Sequence, residues 1–309
     1  MHSSTLGSST SIPPRTNRFV EALKKVISTI NRLKVISTIN RLVATPTGKL
    51  SFGLTMTFVL IAILAPWITP YSPNAIVGPS YAPPSLKHLL GTDDIGQDIL
   101  SQLIFATRGS LLVAFVAGGI SVVIGTMVGL FSGYYGGRLG EGLMRAADVV
   151  LTLPLLPLLI VLAAYFPSSI WLVIAVVGVL SWPTTARVIR SQTLTLKTRP
   201  FVDASKLSGM SDFEIIFQQI LPNQISLIAL YGAYAAVSAV VIEAGLDFIG
   251  LGSVTNLSWG IMLYFALTRN ALLRGEWWWF LPPGLMIALF GTGLILLGYN
   301  VERITRGRP

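Results

Sequence analysis

Side chains able to do chemistry are scarce in this chain. It holds no cysteine and only two histidines, His2 and His88, so it has no disulfide framework, no Cys/His zinc site and no cysteine nucleophile. What remains is a handful of carboxylates. Asp93, Asp94 and Asp98 stand close enough to share a helical turn, where they would meet a cation or a basic patch, or act as helix-start acids stabilised by the dipole. The regular ligand spacing of a calcium loop is absent. Glu243 lies in an apolar run and, at about 1.5 Å per residue, falls near one boundary of it, where it could pair an amine. A phosphate-binding G-x-x-x-x-G-K-[ST] loop is missing, because Gly48-Lys49 lacks the preceding glycine and is followed by Leu50. Neither facing carboxylates nor a His/Glu metal set stands at membrane depth, so these residues point to binding and transmission rather than catalysis.

The elements that must carry them are set by composition. The 309 residues are 52% apolar and only 11% charged, with a mean hydropathy of +0.70, which excludes an ordinary soluble domain. Six runs reach the roughly 20 residues needed to cross a bilayer as helices: Leu50–Ile68, Leu111–Phe131, Ala146–Tyr165, Ile170–Val188, Gln224–Ala244 and Leu281–Tyr299. The expected fold is an all-α, six-helix transmembrane bundle. A long outer segment spans 70–110, a loop 189–223 lies on the other side, and the third and fourth runs form an antiparallel hairpin. In this arrangement 18 Lys/Arg lie on one side and four on the other, so both termini are expected in the cytoplasm. The net charge of +9 is then a topology signal, and no nucleic-acid partner is implied. Trp67, Tyr71, Trp171 and Trp277–Trp279 form the outer aromatic belt.

Residues 1–18, rich in Ser and Thr with Pro13-Pro14, are expected to be disordered and are not a signal peptide. The arm 19–46 contains a perfect tandem repeat, KVISTINRL at 25–33 and again at 34–42. Phe19, Leu23, Val26, Ile30 and Leu33 share one helical face, which suits an amphipathic helix on membrane lipid. The permease-like remainder, 47–309, holds the spans. Gly125, Gly129 and Gly133 permit close helix approach, His88 reads as a polar loop residue, and Asn256-Leu257-Ser258 is a sequon.

The loop after the fourth span reads helix, break, helix. Phe201, Ala204, Leu207 and Ser208 recur at helical spacing, Gly209 permits a turn, Ser211 or Asp212 can cap a second helix with Phe213, Ile216 and Phe217, and Pro222 marks entry to the fifth span. Such a partly apolar elbow exposes surface that a lone protein would hide.

Here the sequence resembles a known family. Asp203-Ala204-Ser205, Gly209 and Ile220-Leu221-Pro222-Asn223 are similar to the EAA loop of inner-membrane permease subunits of binding-protein-dependent ABC importers. Trp182-Pro183, Ala186-Arg187, Arg190 and Phe201-Val202 resemble the dipeptide, oligopeptide and nickel branch. So do Leu90-Gly91-Thr92-Asp93 with Gly96-Gln97-Asp98, and Glu243-Ala244, Phe248, Gly250-Leu251-Gly252 with Ser258-Trp259-Gly260. The likeness runs from about Thr47 to the end. The family's leading Glu is Asp203 here, its second Ala is Ser205, and a frequently basic pair is Gln218-Gln219.

The resemblance implies a type I importer half in a prokaryotic plasma membrane. Its partners would be a second permease, identical or homologous, two cytoplasmic ATPases that use ATP and Mg, and an external solute-binding protein. The chain itself would be non-catalytic, with no cofactor or metal. Asp203, Ala204, Ser205, Leu207, Gly209, Met210, Ser211, Phe213 and Pro222 would dock on the ATPase, Asp93, Asp94 and Asp98 would face the binding protein, and Glu243 would line the cargo path. Di- and oligopeptides are the implied cargo, with short oligosaccharides or nickel chelates as alternatives. A self-sufficient secondary transporter would need ionisable groups buried mid-span, which these runs almost lack.

Overall fold

A computed structural model describes residues 41–166, 169–252 and 256–306. The tail 1–18 and all but the last two residues of the tandem repeat lie outside the described residues. The described residues are mainly helical, apart from the irregular segment 69–98, and β-pairing among them is confined to the isolated bridges Ile76–Gln97 and Thr92–Asp98. Among the described residues five helices are long and apolar enough to cross a membrane, and a bent pair makes up to six.

Helix α1, Pro46–Ile68, starts four residues before the expected span. Thr45 caps it by accepting from the Gly48 N–H, and Pro46 occupies the first turn, where its missing N–H costs nothing. Helix α2, Ile99–Tyr135, is 37 residues long, far beyond the expected 111–131. Its first three turns carry Ser101, Gln102 and Arg108, too polar for an apolar-run search, yet Asp98 caps them and starts the helix there. The connection expected over 70–110 therefore ends at Asp98.

The third expected span is broken. Helices α3, Gly137–Thr152, and α4, Leu155–Tyr165, meet at an angle of 70°. Pro154 lacks an N–H and cannot continue the hydrogen-bond ladder. Helices α5, Ile170–Leu180, and α6, Trp182–Lys197, join at Ser181 just before Pro183 and together form one span. Because α6 runs nine residues past Val188, the loop expected over 189–223 shrinks to the residues between Lys197 and Asp212. It holds the short helix α7, Pro200–Leu207.

Helix α8, Asp212–Phe248, is continuous but irregular. An α turn at Asp212–Glu214 passes into a π segment, Ile215–Ile220, a 3-10 turn, Leu221–Gln224, and then regular helix from Ile225. Pro222 sits inside the 3-10 turn rather than at a boundary. Its ring would collide with the Gln218 carbonyl in a regular α-helix, and the wider π turn ahead of it relieves that clash. Helix α9, Trp259–Thr268, was not expected, since ten residues are too few for a span. Helix α10, Trp277–Arg306, overruns the expected 281–299 at both ends and absorbs Pro282 and Pro283 near its start.

The helices pack through two kinds of contact. Phe58 of α1, Trp259 of α9 and Phe290 of α10 meet edge to face with centroids 5.5 to 6.0 Å apart. Along α2, Gly125, Gly129 and Gly133 face Thr185, Ile189 and Thr193 of α6, both rows repeating every fourth residue. A Cβ added to these glycines would lie 2.7, 2.7 and 2.6 Å from the Cβ of the facing side chain. The spacing expected to allow close approach does so, and it fastens α2 to α6 backbone against side chain.

Candidate functional site

The elbow is built from α7, the turn at Gly209 and the first turns of α8. The turn is a Schellman closure: the Gly209 N–H donates to the Lys206 carbonyl at 2.9 Å and the Met210 N–H to the Ser205 carbonyl at 3.2 Å. Gly209 supplies the positive φ of 77° that this closure needs. A Cβ there would meet nothing within 4 Å, so close helix crossing is not the reason for glycine; backbone conformation is. Ser211 then caps α8 in a reciprocal box, its Oγ accepting from the Glu214 N–H while the Glu214 carboxylate accepts from the Ser211 N–H at 2.8 Å.

The structure divides the nine expected docking residues into two sets. Asp203, Ala204, Leu207, Gly209 and Ser211 point outward, and Leu207 is 90% exposed. Ser205 is buried, its hydroxyl donating to the Phe201 carbonyl, and Met210 packs into the cluster beneath. Phe213 lies against Phe217 with centroids 4.3 Å apart, and Pro222 sits half-buried in the 3-10 turn. These four support the elbow from inside rather than forming its surface. Val202, Ile215, Ile216 and Ile220 are fully buried against Leu130 and Ile189, so the elbow is seated on the ends of α2 and α6.

A polar tie completes the seat. Tyr134, one residue from the end of α2, donates its hydroxyl to Asp212 at 2.7 Å, across 78 residues of sequence. Lys197, the last residue of α6, donates to the Tyr134 carbonyl and stands 5.5 Å from the centre of its ring. Nothing in the sequence signals this joint of three helices, because each partner is an ordinary helix-end residue.

At the other end of the helices the expected acids are largely engaged within the chain. Asp98 accepts from the Ser101 N–H and hydroxyl and pairs with His88 at 2.9 Å, so His88 is a buried cap partner and not a free loop residue. Asp93 accepts from the N–H groups of Ile95 and Gln97 and from the Gln102 amide. Burial still pushes its carboxyl above the ordinary carboxylate range. With exposures of 4% and 1%, Asp93 and Asp98 offer an external protein no surface. Asp93 and Asp94 both line a cavity of about 680 Å³, and Asp94 is paired there with Arg269 at 3.0 Å.

Glu243 does not line an open path either. It is buried and hydrogen-bonded to Asp247, which accepts from Ser258, the cap of α9, at 2.5 Å. Gly260 closes over the pair, since a Cβ there would fall 2.6 Å from the Ala244 backbone. Open space along the spanning helices lies elsewhere. A cavity of about 550 Å³ sits between the two helix breaks, lined by Leu153, Ser181, Thr184, Tyr231, Tyr234 and Ser238 among others.

Comparison with known proteins matches this arrangement to a family. The family model described as "Binding-protein-dependent transport system inner membrane component" matches residues 125–307, from the glycine seam to the end of α10. A chain of Brucella suis biovar 1, provisionally named a peptide permease protein, is 38% identical over 241 residues, covering 76% of this chain and 80% of that one. The oligopeptide transport system permease protein OppC of Lactococcus lactis subsp. cremoris is 34% identical over 229 residues, 74% of this chain and 78% of that one. A chain of Escherichia coli K12, provisionally named a D,D-dipeptide transport system permease protein, is 32% identical over 251 residues, 81% of this chain and 83% of its own length. With more than half its length matched by the family model, this multi-pass chain belongs to the inner-membrane components of binding-protein-dependent transport systems.

Proposed function

We propose that this chain is one of two membrane subunits of an ATP-driven importer of short peptides, and that the elbow from α7 to the start of α8 seats in a cytoplasmic ATPase. The observation that carries the reading is a rigid elbow with an outward apolar tip at Leu207, tied at Tyr134 and Lys197 to two of the spanning helices. A surface of this kind transmits motion instead of making it. The ATPases use ATP and Mg, and a second permease completes the path. A solute-binding protein delivers cargo at the opposite face, where the half-exposed Arg269 pairs with the largely covered Asp94. Peptide is favoured over saccharide or metal chelate because relatives named for peptide, oligopeptide and dipeptide transport match over most of their length. The positive-side bias of Lys and Arg supports a cytoplasmic position for the elbow and both termini.

The test is reconstitution of the permease pair with and without its ATPase, carrying Leu207→Cys. Peptide uptake that requires ATP, together with a crosslink from position 207 to the ATPase, is the expected result. Uptake by the permeases alone would overturn the reading. A second expectation concerns the joint. Tyr134→Phe removes one hydrogen bond worth about 1 kcal/mol, so the protein should fold normally while peptide moved per ATP hydrolysed falls about fivefold, at that same energy. An unchanged ratio would show that the tie carries no motion.

A further inference from the structure

Resting on that importer reading, we propose that the cavity between the two helix breaks is where cargo is held at membrane depth, and that it recognises the uncharged main chain of a short peptide. Two observations converge on this space. The first is backbone. At Leu153-Pro154 the chain leaves the helix inside a run apolar enough to cross a bilayer, and at Ser181, which keeps its helical bond to the Val177 carbonyl, Pro183 two residues on has no N–H to offer the Val179 carbonyl. Hydrocarbon cannot satisfy the polar groups such breaks release, so they must be buried in protein or line a water-filled space. Both breaks line the same cavity.

The second is side chains. Tyr231, Tyr234 and Ser238 fall on one face of α8, opposite Thr184 of α6. Tyr234 is 46% exposed in the middle of a spanning helix, and Ser238 and Thr184 are exposed as well. A hydroxyl presented to lipid would lose its partners, whereas one presented to a water-filled space keeps them, and here the hydroxyls stand among aliphatic neighbours such as Leu151, Leu155 and Ile242.

The chemistry of the lining selects the ligand. Among the described residues no carboxylate, ammonium or guanidinium borders the space. The nearest charged residues along α3 and α6, Asp148 and Arg187, are spent on each other at 2.6 Å. Hydroxyls both donate and accept, which matches the alternating N–H and C=O of a peptide main chain whatever its side chains. The volume, about 550 Å³, lies in the range of small-ligand sites. Glu243 and Asp247, the nearest buried acids on α8, are turned instead towards Ser258 of α9.

The absence of cysteine from this chain makes a direct experiment available. In the assembled importer in proteoliposomes, Tyr234→Cys and Ser238→Cys should each react with a membrane-impermeant methanethiosulfonate. Val123→Cys, 60% exposed on α2 and outside this cavity, should not. If positions 234 and 238 are as unreactive as 123, the face is covered by lipid or by the second permease and the proposal falls. A second arm reads selectivity. Ser238→Lys should lower trilysine uptake about tenfold through like-charge repulsion in a poorly screened space, and trialanine uptake about twofold or less. Equal loss for both peptides would overturn main-chain recognition at this site. Failure of the importer reading would look different: the unsubstituted importer would take up neither peptide, while the labelling pattern would still report on the cavity.

Discussion

Leucine in place of Gly129 will keep the protein from accumulating in the membrane. The seam between α2 and α6 leaves no room at this position: even a methyl group would stand 2.7 Å from the Ile189 Cβ and 2.8 Å from the Ala186 carbonyl. The facing atoms are backbone and a β-branched side chain that is fully buried, so neither can swing aside. Overpacking by a methylene or two typically costs about 1–3 kcal/mol. A leucine forces the helices apart along several turns, and its cost should approach the whole stability margin of about 5–15 kcal/mol. Alanine at 129 should give a folded protein of lower melting temperature in detergent. Gly142 of α3, with nothing within 4 Å of its added Cβ, is the control, and Gly142→Ala should be neutral or slightly stabilising. Normal accumulation of the leucine variant would show that α2 and α6 do not meet at this seam.

The second large effect is functional rather than structural. Gly209→Val should insert and fold normally yet lose ATP-coupled uptake by more than about tenfold, because a β-branched residue at φ 77° is strained by roughly 1–3 kcal/mol. The cheapest escape is to abandon the turn. That frees the Met210 and Gly209 hydrogen bonds and misplaces the exposed tip of α7 while the buried face of α8 stays packed. Substitutions at this position discriminate between two explanations for the glycine. If space were limiting, loss would follow size. Since the surroundings are empty, loss should follow tolerance of the left-handed region instead, with Asn retaining more coupling than the smaller Ala, and Val retaining least. Uptake measured against ATPase co-purification gives the order, and Ala outperforming Asn would contradict it.

How far the sequence could be read depended on whether local signals were unopposed. The apolar runs, the Gly125–Gly129–Gly133 spacing, the turn at Gly209 and the cap at Ser211 were all legible, because each follows from a few neighbouring residues. The extension of α2 back to Ile99 was not. Ser101, Gln102 and Arg108 dilute its hydropathy, and the decisive cap at Asp98 is indistinguishable in sequence from a surface acid. Pro154 and Pro222 illustrate the same limit. One breaks a helix by 70° and the other is absorbed by a π turn, an outcome settled by packing beneath Ile215, Ile216 and Ile220. The acids were only partly legible: of the two readings offered for Asp98 the helix-start acid is the one the structure shows, while the engagement of Asp93 with Gln102 and of Glu243 with Asp247 had no signal in the sequence. The Tyr134–Asp212 tie joins residues 78 apart and leaves no periodic trace.

The continuity of α8 has a mechanical consequence. Its 37 residues would measure about 55 Å as a regular helix, reaching from the elbow to Asp247 and, through Ser258, to α9. Such a member can tilt as one rod about its elbow end. Tilting it by about 5° would carry its far tip through roughly 5 Å over that length. A tilt imposed at the elbow would therefore reach the opposite membrane face as a shift of a few ångströms, with no intervening loop to absorb the throw.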